Sequence, residues 1–241
     1  MKILGLDSSG LVASVAVVED DTLVAEYTMN YKKTHSQTLL PMLDEIKKAV
    51  ELELDSIDAI AVAQGPGSFT GLRIGSATAK GLGLALDKPL VGVSTLEALA
   101  YNLFATGEDW LICPIMDARR KQVYTAAYAF DKEQCLETVR KQDALPMEQW
   151  MEELNRIGRP VIFLGDGVPV YKEVIEQNAR IPYAFAPAHL NRQRAAAVAA
   201  LGCIYYKEGK IQSARDHGPD YLRVSQAERE RAKRLAENGK A

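Results

Sequence analysis

Gln64 to Ala85 reads QGPGSFTGLRIGSATAKGLGLA, and this stretch decides the fold. It follows an apolar run, Ile57 to Ala63, that reads as a buried strand ending in a Gly-Pro-Gly turn. Beyond the turn, Ser68 or Thr70 can cap a helix. Along that helix Gly71, Gly75, Ala79 and Gly83 recur every fourth residue, with Ala77, Gly81 and Ala85 as a second row. Residues so spaced share a helical face, and small side chains there let another backbone come close. Each glycine costs a helix about 1 kcal/mol relative to alanine, a loss that closeness must offset. Packing on the chain's own sheet is the commoner use of a crossover helix; packing on a helix of a second chain is the alternative. A phosphate loop would space its glycines differently. Gly65, Gly67 and Gly71 match neither the dinucleotide fingerprint nor a Walker loop, which needs Lys then Ser or Thr where this chain has Leu72-Arg73.

Working outward, three strand-like segments open the chain: Lys2 to Ser9, Leu11 to Glu19 and Thr22 to Tyr31, with Asp20-Asp21 as the second turn. A helix should follow His35-Ser36, carrying Leu39, Leu43, Ile46 and Val50 on one face, and Pro41 should kink or restart it. The Ile57 strand, the glycine-rich helix, a strand at Leu90 to Ser94 and a helix from Thr95 to about Phe104 complete a first unit. After a break near Thr106 to Asp109 the plan repeats. Strands at Leu111 to Ala118, Gln122 to Phe130 and Cys135 to Arg140 precede a helix from near Met147, a strand at Val161 to Leu164 and a helix from near Val170. Three strands, helix, strand, helix, twice over, predicts an α/β fold of two actin-like, ribonuclease H-like (ASKHA) lobes, each a mixed sheet flanked by helices. Residues 1–106 are expected to form the first lobe, completed by helices within 190–241, and residues 107–189 the smaller second lobe. The completing helices are read at Arg192 to Lys207 and Gln226 to Glu237.

Composition narrows the function classes. A chain of 241 residues, 47% hydrophobic and 25% charged, can bury a sizeable core. Met1 to Asp7 runs straight into a strand with no signal peptide, and no uncharged apolar stretch is long enough to span a membrane, so a cytoplasmic chain without a membrane partner is expected. Cys113, Cys135 and Cys203 are few, odd in number and widely separated, which indicates neither a disulfide framework nor a zinc site. The net charge of −3 argues against an autonomous nucleic-acid binder. Near the C-terminus Arg229, Arg231, Lys233 and Arg234 interleave with Glu228, Glu230 and Glu237, a solvated face rather than an RNA patch.

In an actin-like fold the turn between the first two strands can meet a nucleotide phosphate or its metal, and here it carries Asp7, Ser8, Ser9 and Gly10. A buried strand-end acid must be paired or functional, or else it serves turn hydrogen bonds to nearby amides. Gly165, Asp166 and Gly167 form a second strand-to-turn junction. Asp7, Ser8, Ser9, Gly165, Asp166 and Gly167 are therefore the candidate nucleotide cleft. Other catalytic signatures are thin: there is no HExxH or GxSxG, and His35, His189 and His217 lack metal-ligand spacing. Ser36 has no visible base to activate it, and Asp117 to Lys121 reads as a solvated turn. No catalytic residue, metal or cofactor is expected.

Six segments carry a resemblance: ILGLDSS (3–9), THSQTLLPML (34–43), GPGSFTGLRIGSATAKGLGLAL (65–86), PLVGVSTLEALA (89–100), MDARRKQVYTAAY (116–128) and PDYLR (219–223). In order, and covering most of the chain, they resemble the TsaB (YeaZ) family of bacteria. The resemblance implies a non-catalytic member of the actin, Hsp70 and sugar-kinase superfamily. Its partners would be TsaD, TsaE and a TsaC-type enzyme, which together make the threonylcarbamoyl modification of the adenosine just 3′ of the anticodon in tRNAs reading codons that begin with A. tRNA would be met only through the complex. TsaD is similar to this chain around residues 89–100, but where it carries the two metal histidines of an HxxxH sequence this chain has Thr95 and Leu99. In both families the first two helices of the N-terminal lobe bundle with the same helices of a partner, either TsaD or a second TsaB. The resemblance therefore implies that Leu39, Leu43, Ile46, Phe69, Leu72, Arg73, Gly75 and Ala79 lie at or near an interface, with a homodimer when the chain is alone. Asp7 and Gly165 to Gly167 would then be relics or weak contacts, and the segment after Arg223 has no role that the family pattern specifies. The rival class is a standalone ATP-dependent kinase or peptidase of the same fold.

Overall fold

The computed structural model describes residues 1–31 and 33–223. The first half lays β1 (Lys2–Asp7), β2 (Ala13–Glu19) and β3 (Thr22–Met29) as an antiparallel meander, followed by α1 (His35–Ala49). Next come β4 (Ala59–Gly65), α2 (Phe69–Leu86), β5 (Leu90–Ser94) and α3 (Thr95–Tyr101). Strands β4 and β5 join the sheet in parallel, which requires the helical crossovers α1 and α2. The second half repeats this with β6 (Leu111–Asp117), β7 (Gln122–Phe130), β8 (Leu136–Pro146), α4 (Met147–Ile157), β9 (Val161–Leu164), α5 (Val168–Asn178), β10 (Tyr183–Phe185) and α6 (Ala195–Lys207). The two sheets have the same plan, β3-β2-β1-β4-β5 and β8-β7-β6-β9-β10.

Burial follows strand parity. Leu4 and Leu6 of β1 face Leu39, Leu43 and Ile46 of α1, whereas Ile3 turns to the other side and meets Val198 and Leu201 of α6. Being covered on both faces, β1 and β4 are apolar almost without interruption. Helix α6 opens on a run of small residues because it lies close to the sheet: a Cβ on Gly202 would sit 2.5 Å from the Ala61 Cβ. In the second sheet Cys113 and Ile115 pack toward Trp150, Met151 and Leu154 of α4, while Ile112, Met116 and Phe130 pack against Leu96 and Leu99 of α3. Helix α3 is thus the shared core of the two halves. Among the described residues no helix is long and apolar enough to cross a membrane.

Edge strand β3 is fastened to α6 by one acid. The Glu26 carboxylate pairs with the Arg194 guanidinium and accepts the Ala196 N–H at 3.0 Å, at the positive end of the helix dipole. Glu26→Ala is expected to destabilise the chain by about 2 kcal/mol, read in urea melts as a shifted midpoint at unchanged slope.

Several boundaries move from the sequence reading. Helix α1 runs through Pro41 without a restart; Pro41 is exposed, so its ring is accommodated on the solvent side. Strand β8 extends six residues beyond Arg140, to Pro146, because β7 is long enough to pair with it throughout. Helix α3 stops at Tyr101 rather than Phe104, and α6 starts at Ala195 rather than Arg192. Strand β4 is shifted to Ala59–Gly65, since Ile57 follows a 3-10 turn at Leu54–Ser56. The three-residue β10 was not expected at all. The helix read at Gln226 to Glu237 lies outside the described residues.

Candidate functional site

A cleft of about 440 Å³ opens between the sheets. Its walls are the β1–β2 turn (Ser9, Gly10, Leu11), the start of α2 (Gly67 to Thr70), the β6–β7 hairpin with Asp166, and the segment Asp220 to Arg223. Of the expected residues, Ser9 and Asp166 line the cleft and Asp7 does not. Asp7 is fully buried behind the wall; one oxygen accepts the Ser9 N–H (2.8 Å) and the Ser9 hydroxyl (2.6 Å), while the other has no partner among the described residues. Burial pushes its carboxyl up to about 6, against the pull of the Ser9 bonds. Asp166 is raised in the same direction by burial and accepts the Asp117 N–H at 3.2 Å. The Asp166 charge adds a small further rise at Asp7. Ser8 points away from the cleft and donates to the Gly71 carbonyl at 2.9 Å, and His35 Nε2 lies 2.9 Å from the Gly10 carbonyl.

The glycines around this floor spend their room on the chain's own backbone. A Cβ on Gly67 would overlap the Ser9 carbonyl oxygen, one on Gly71 the Ser8 carbonyl oxygen, and one on Gly167 would stand 2.9 Å from the Ile115 carbonyl oxygen. Gly165, at φ +106°, sits under that same Ile115 carbonyl. Strand-to-turn packing, not an incoming phosphate, fills the close approaches.

The sequence reading missed the closing strap. Asp220 donates its N–H to the Gln64 carbonyl at 2.7 Å and accepts from Gln142 of β8 at 3.3 Å, and Arg223 donates to the Ala118 carbonyl at 3.1 Å. Between them the Tyr221 ring stacks on Phe69, centroids 4.4 Å apart. Arg73 lies 4.2 Å from the Phe69 ring centre and donates from Nε to the Tyr221 hydroxyl at 3.2 Å. Lys80 secures the preceding turn through the Arg215 and His217 carbonyls at 3.0 and 2.8 Å. Pro219 and Tyr221 in a polar stretch were the available signal, but nothing local says that such a tyrosine meets Phe69 and Arg73 on α2.

The second candidate site is the outer surface of α1 and α2, and here the structure corrects the expectation. Leu39, Leu43, Ile46, Leu72, Gly75 and Ala79 are all buried inside the chain. The first glycine row turns inward: Gly75 is held against Ser8, and Gly83 against Ala214 and Leu90. The reason is the parallel β1–β4–β5 ladder, whose crossover helix must lie low on the sheet. Phe69 is half-buried and Arg73 exposed. Pointing outward instead is the second row, Ala77, Gly81 and Ala85; Leu84 of the same helix and Leu40 of α1 are both more than half exposed. Among the described residues Gly81 has open space where its Cβ would be. Thr95 and Leu99 are buried on α3, and among the described residues no three His, Cys, Asp or Glu side chains come together as a metal site.

Two lobes of one topology around a shared cleft place the chain in the actin-like class. Its structure is similar to YeaZ from Pseudomonas aeruginosa (TM-score 0.77, 27% identity, 92% of this chain and 99% of that one). It is similar as well to a solved structure described as an uncharacterised protein with similarity to peptidase YeaZ from Pseudomonas aeruginosa (TM-score 0.79, 26% identity, 92% and 99% covered). In sequence it is 37% identical over 228 residues to the tRNA threonylcarbamoyladenosine biosynthesis protein TsaB of Bacillus subtilis, covering 95% of this chain and 96% of that protein. The Escherichia coli protein of the same name is 28% identical, with 92% and 95% covered. The family model for TsaD, tRNA N6-adenosine threonylcarbamoyltransferase, matches residues 22–231. The chain belongs to the TsaB family, within the wider group that the TsaD model describes.

Proposed function

We propose that this chain is the non-catalytic subunit that binds and activates TsaD, in a cytoplasmic complex with TsaE that transfers the threonylcarbamoyl group to the adenosine 3′ of the anticodon in tRNAs reading codons beginning with A. The observation that carries this reading is the outward row of α2. An exposed glycine inside a helix costs about 1 kcal/mol, and among the described residues nothing lies where the Gly81 Cβ would be to offset that cost. Small exposed residues on α2, with the exposed Leu84 on the same helix, suit the close approach of a partner helix. Alone, the chain would pair this face with its own copy about a twofold axis. In this reading residues 1–106, with the return segment from 190, form the lobe that docks, and residues 107–189 the lobe that does not. The standalone kinase or peptidase reading is weaker, because the approaches a phosphate would use around Gly67 and Gly165 are taken by the chain's own carbonyls.

Light scattering on a sizing column tests the proposal, for the chain alone and then with the TsaD-type protein of the same organism. A homodimer that gives way to a heterodimer is the expected result; a chain that ignores TsaD overturns it. Gly81→Leu is expected to weaken the complex at least roughly tenfold while raising the isolated chain's stability by up to about 1 kcal/mol. Undiminished complex formation by that variant would remove the α2 face from the interface.

A further inference from the structure

We propose that the Arg73–Phe69–Tyr221 stack relays docking on α2 into the cleft between the lobes; the proposal rests on the α2 face being the docking surface. The two ends of the relay are visible in one set of contacts. Arg73 is exposed on α2 one turn before Ala77, so a helix lying on the small-residue row covers it. Its guanidinium also sits over Phe69 at 4.2 Å and bonds the Tyr221 hydroxyl at 3.2 Å. Tyr221 is the middle of the strap, and the strap holds both lobes. Asp220 is bonded to Gln64 at the end of β4 and to Gln142 on β8, and Arg223 to Ala118 in the β6–β7 hairpin. Gly65, at φ +136°, leaves just enough room for the Asp220 carbonyl, so the strap is seated on the first lobe's backbone rather than resting on side chains.

Docking changes the strength of this seat through desolvation. A cation over an aromatic ring is held more tightly once water is excluded from it, and a partner that covers Arg73 excludes that water. The stack then binds the strap more firmly, and the strap draws the hairpin at Asp117 to Gln122 toward β4. A ligand or partner surface at the cleft meets a stiffer site when α2 is occupied, which is a differential interaction of the kind that coupling between sites requires.

Hydrogen exchange of the full chain, with and without a saturating amount of the TsaD-type protein, is the test. In the wild type, docking should slow exchange in 69–85 and also, by about fivefold or more, in 117–122. In Tyr221→Ala the protection of 69–85 should remain and that of 117–122 disappear. Arg223→Ala, which frees the strap from the hairpin and leaves the stack whole, should have the same effect. Protection of 69–85 with no change at 117–122 in the wild type overturns the relay and leaves the docking face standing. A wild-type response at 117–122 in either variant also overturns it, since the signal then travels by another route. Absence of protection on α2 brings down the docking face, and the relay with it.

Discussion

Gly75→Leu is expected to unfold the first lobe rather than release a partner. A Cβ at residue 75 would lie 2.5 Å from Ser8 Oγ and 3.7 Å from Val62 Cγ2. That hydroxyl is committed to the Gly71 carbonyl and cannot simply swing away. A leucine adds three more carbons in the direction of β1 and β4, both of which are fully paired. Overpacking of a closed core costs about 3 kcal/mol or more, which for a chain of this size lowers Tm by roughly 6–12 °C. The control is Gly81→Leu, six residues along the same helix on the outward face, which should melt well above Gly75→Leu because it adds no atoms to the core. Differential scanning calorimetry of the two variants decides it. Equal melting points would mean that the first glycine row is not pressed on the sheet, and would return it to the partner face.

Asp7 should make this protein less stable as pH rises from 4 to 6. Its carboxyl is raised from an ordinary 3.8 to about 6 by burial. Below pH 4 the group is protonated in both the folded and the unfolded chain, and burial carries no charge penalty. Between about 4 and 6 the folded chain keeps a proton that the unfolded chain has released, so the unfolded chain gains and stability falls. Above 6 the full penalty applies, about 3 kcal/mol for a shift of this size. Asp166, raised in the same direction, adds to the trend. Asp7→Asn keeps an oxygen for the two Ser9 bonds and removes the charge. It should therefore stabilise the chain at pH 7.5 by up to about 3 kcal/mol and leave it near neutral at pH 4. Urea midpoints at the two pH values give the answer; an equal effect at both would show that the Asp7 charge is matched by something else at the floor of the cleft.

The duplicated plan of the fold was readable because its signals are local. Apolar runs such as Ile57 to Ala63, the Asp20-Asp21 turn and the periodic Leu39, Leu43 and Ile46 each declare an element without reference to distant residues. That Asp7 and Asp166 close apolar strands was equally legible, but which of them would reach the cleft was not: Asp166 lines it and Asp7 is buried behind its wall. Orientation was not. Gly75 and Gly81 belong to interleaved rows of one helix, and only the height of the sheet beneath decides which row turns inward. The strap stayed hidden for a related reason: Tyr221 finds Phe69 and Arg73 through the tertiary fold, and its neighbours in sequence are silent about them. Strand β8 was cut short because a polar edge strand such as Lys141 to Asp143 lacks the apolar alternation that marks a half-buried one.

Helix α6 has a consequence for synthesis. It covers Ile3, Ala59 and Ala61 from the far side of the first sheet, and it comes from residues 195–207. While the chain is emerging from the ribosome, one face of β1 and β4 has only α3 for cover until nearly the whole polypeptide has been made. The second sheet, by contrast, draws all five strands and both of its outer helices from a continuous stretch, 111–185. The order of maturation is therefore the reverse of the order of translation: the later half closes its own core first, and the earlier half waits for its last helix. A growing chain of this kind exposes an apolar sheet face to chaperones for most of its production, and a stop codon placed anywhere before α6 leaves a product that cannot bury it.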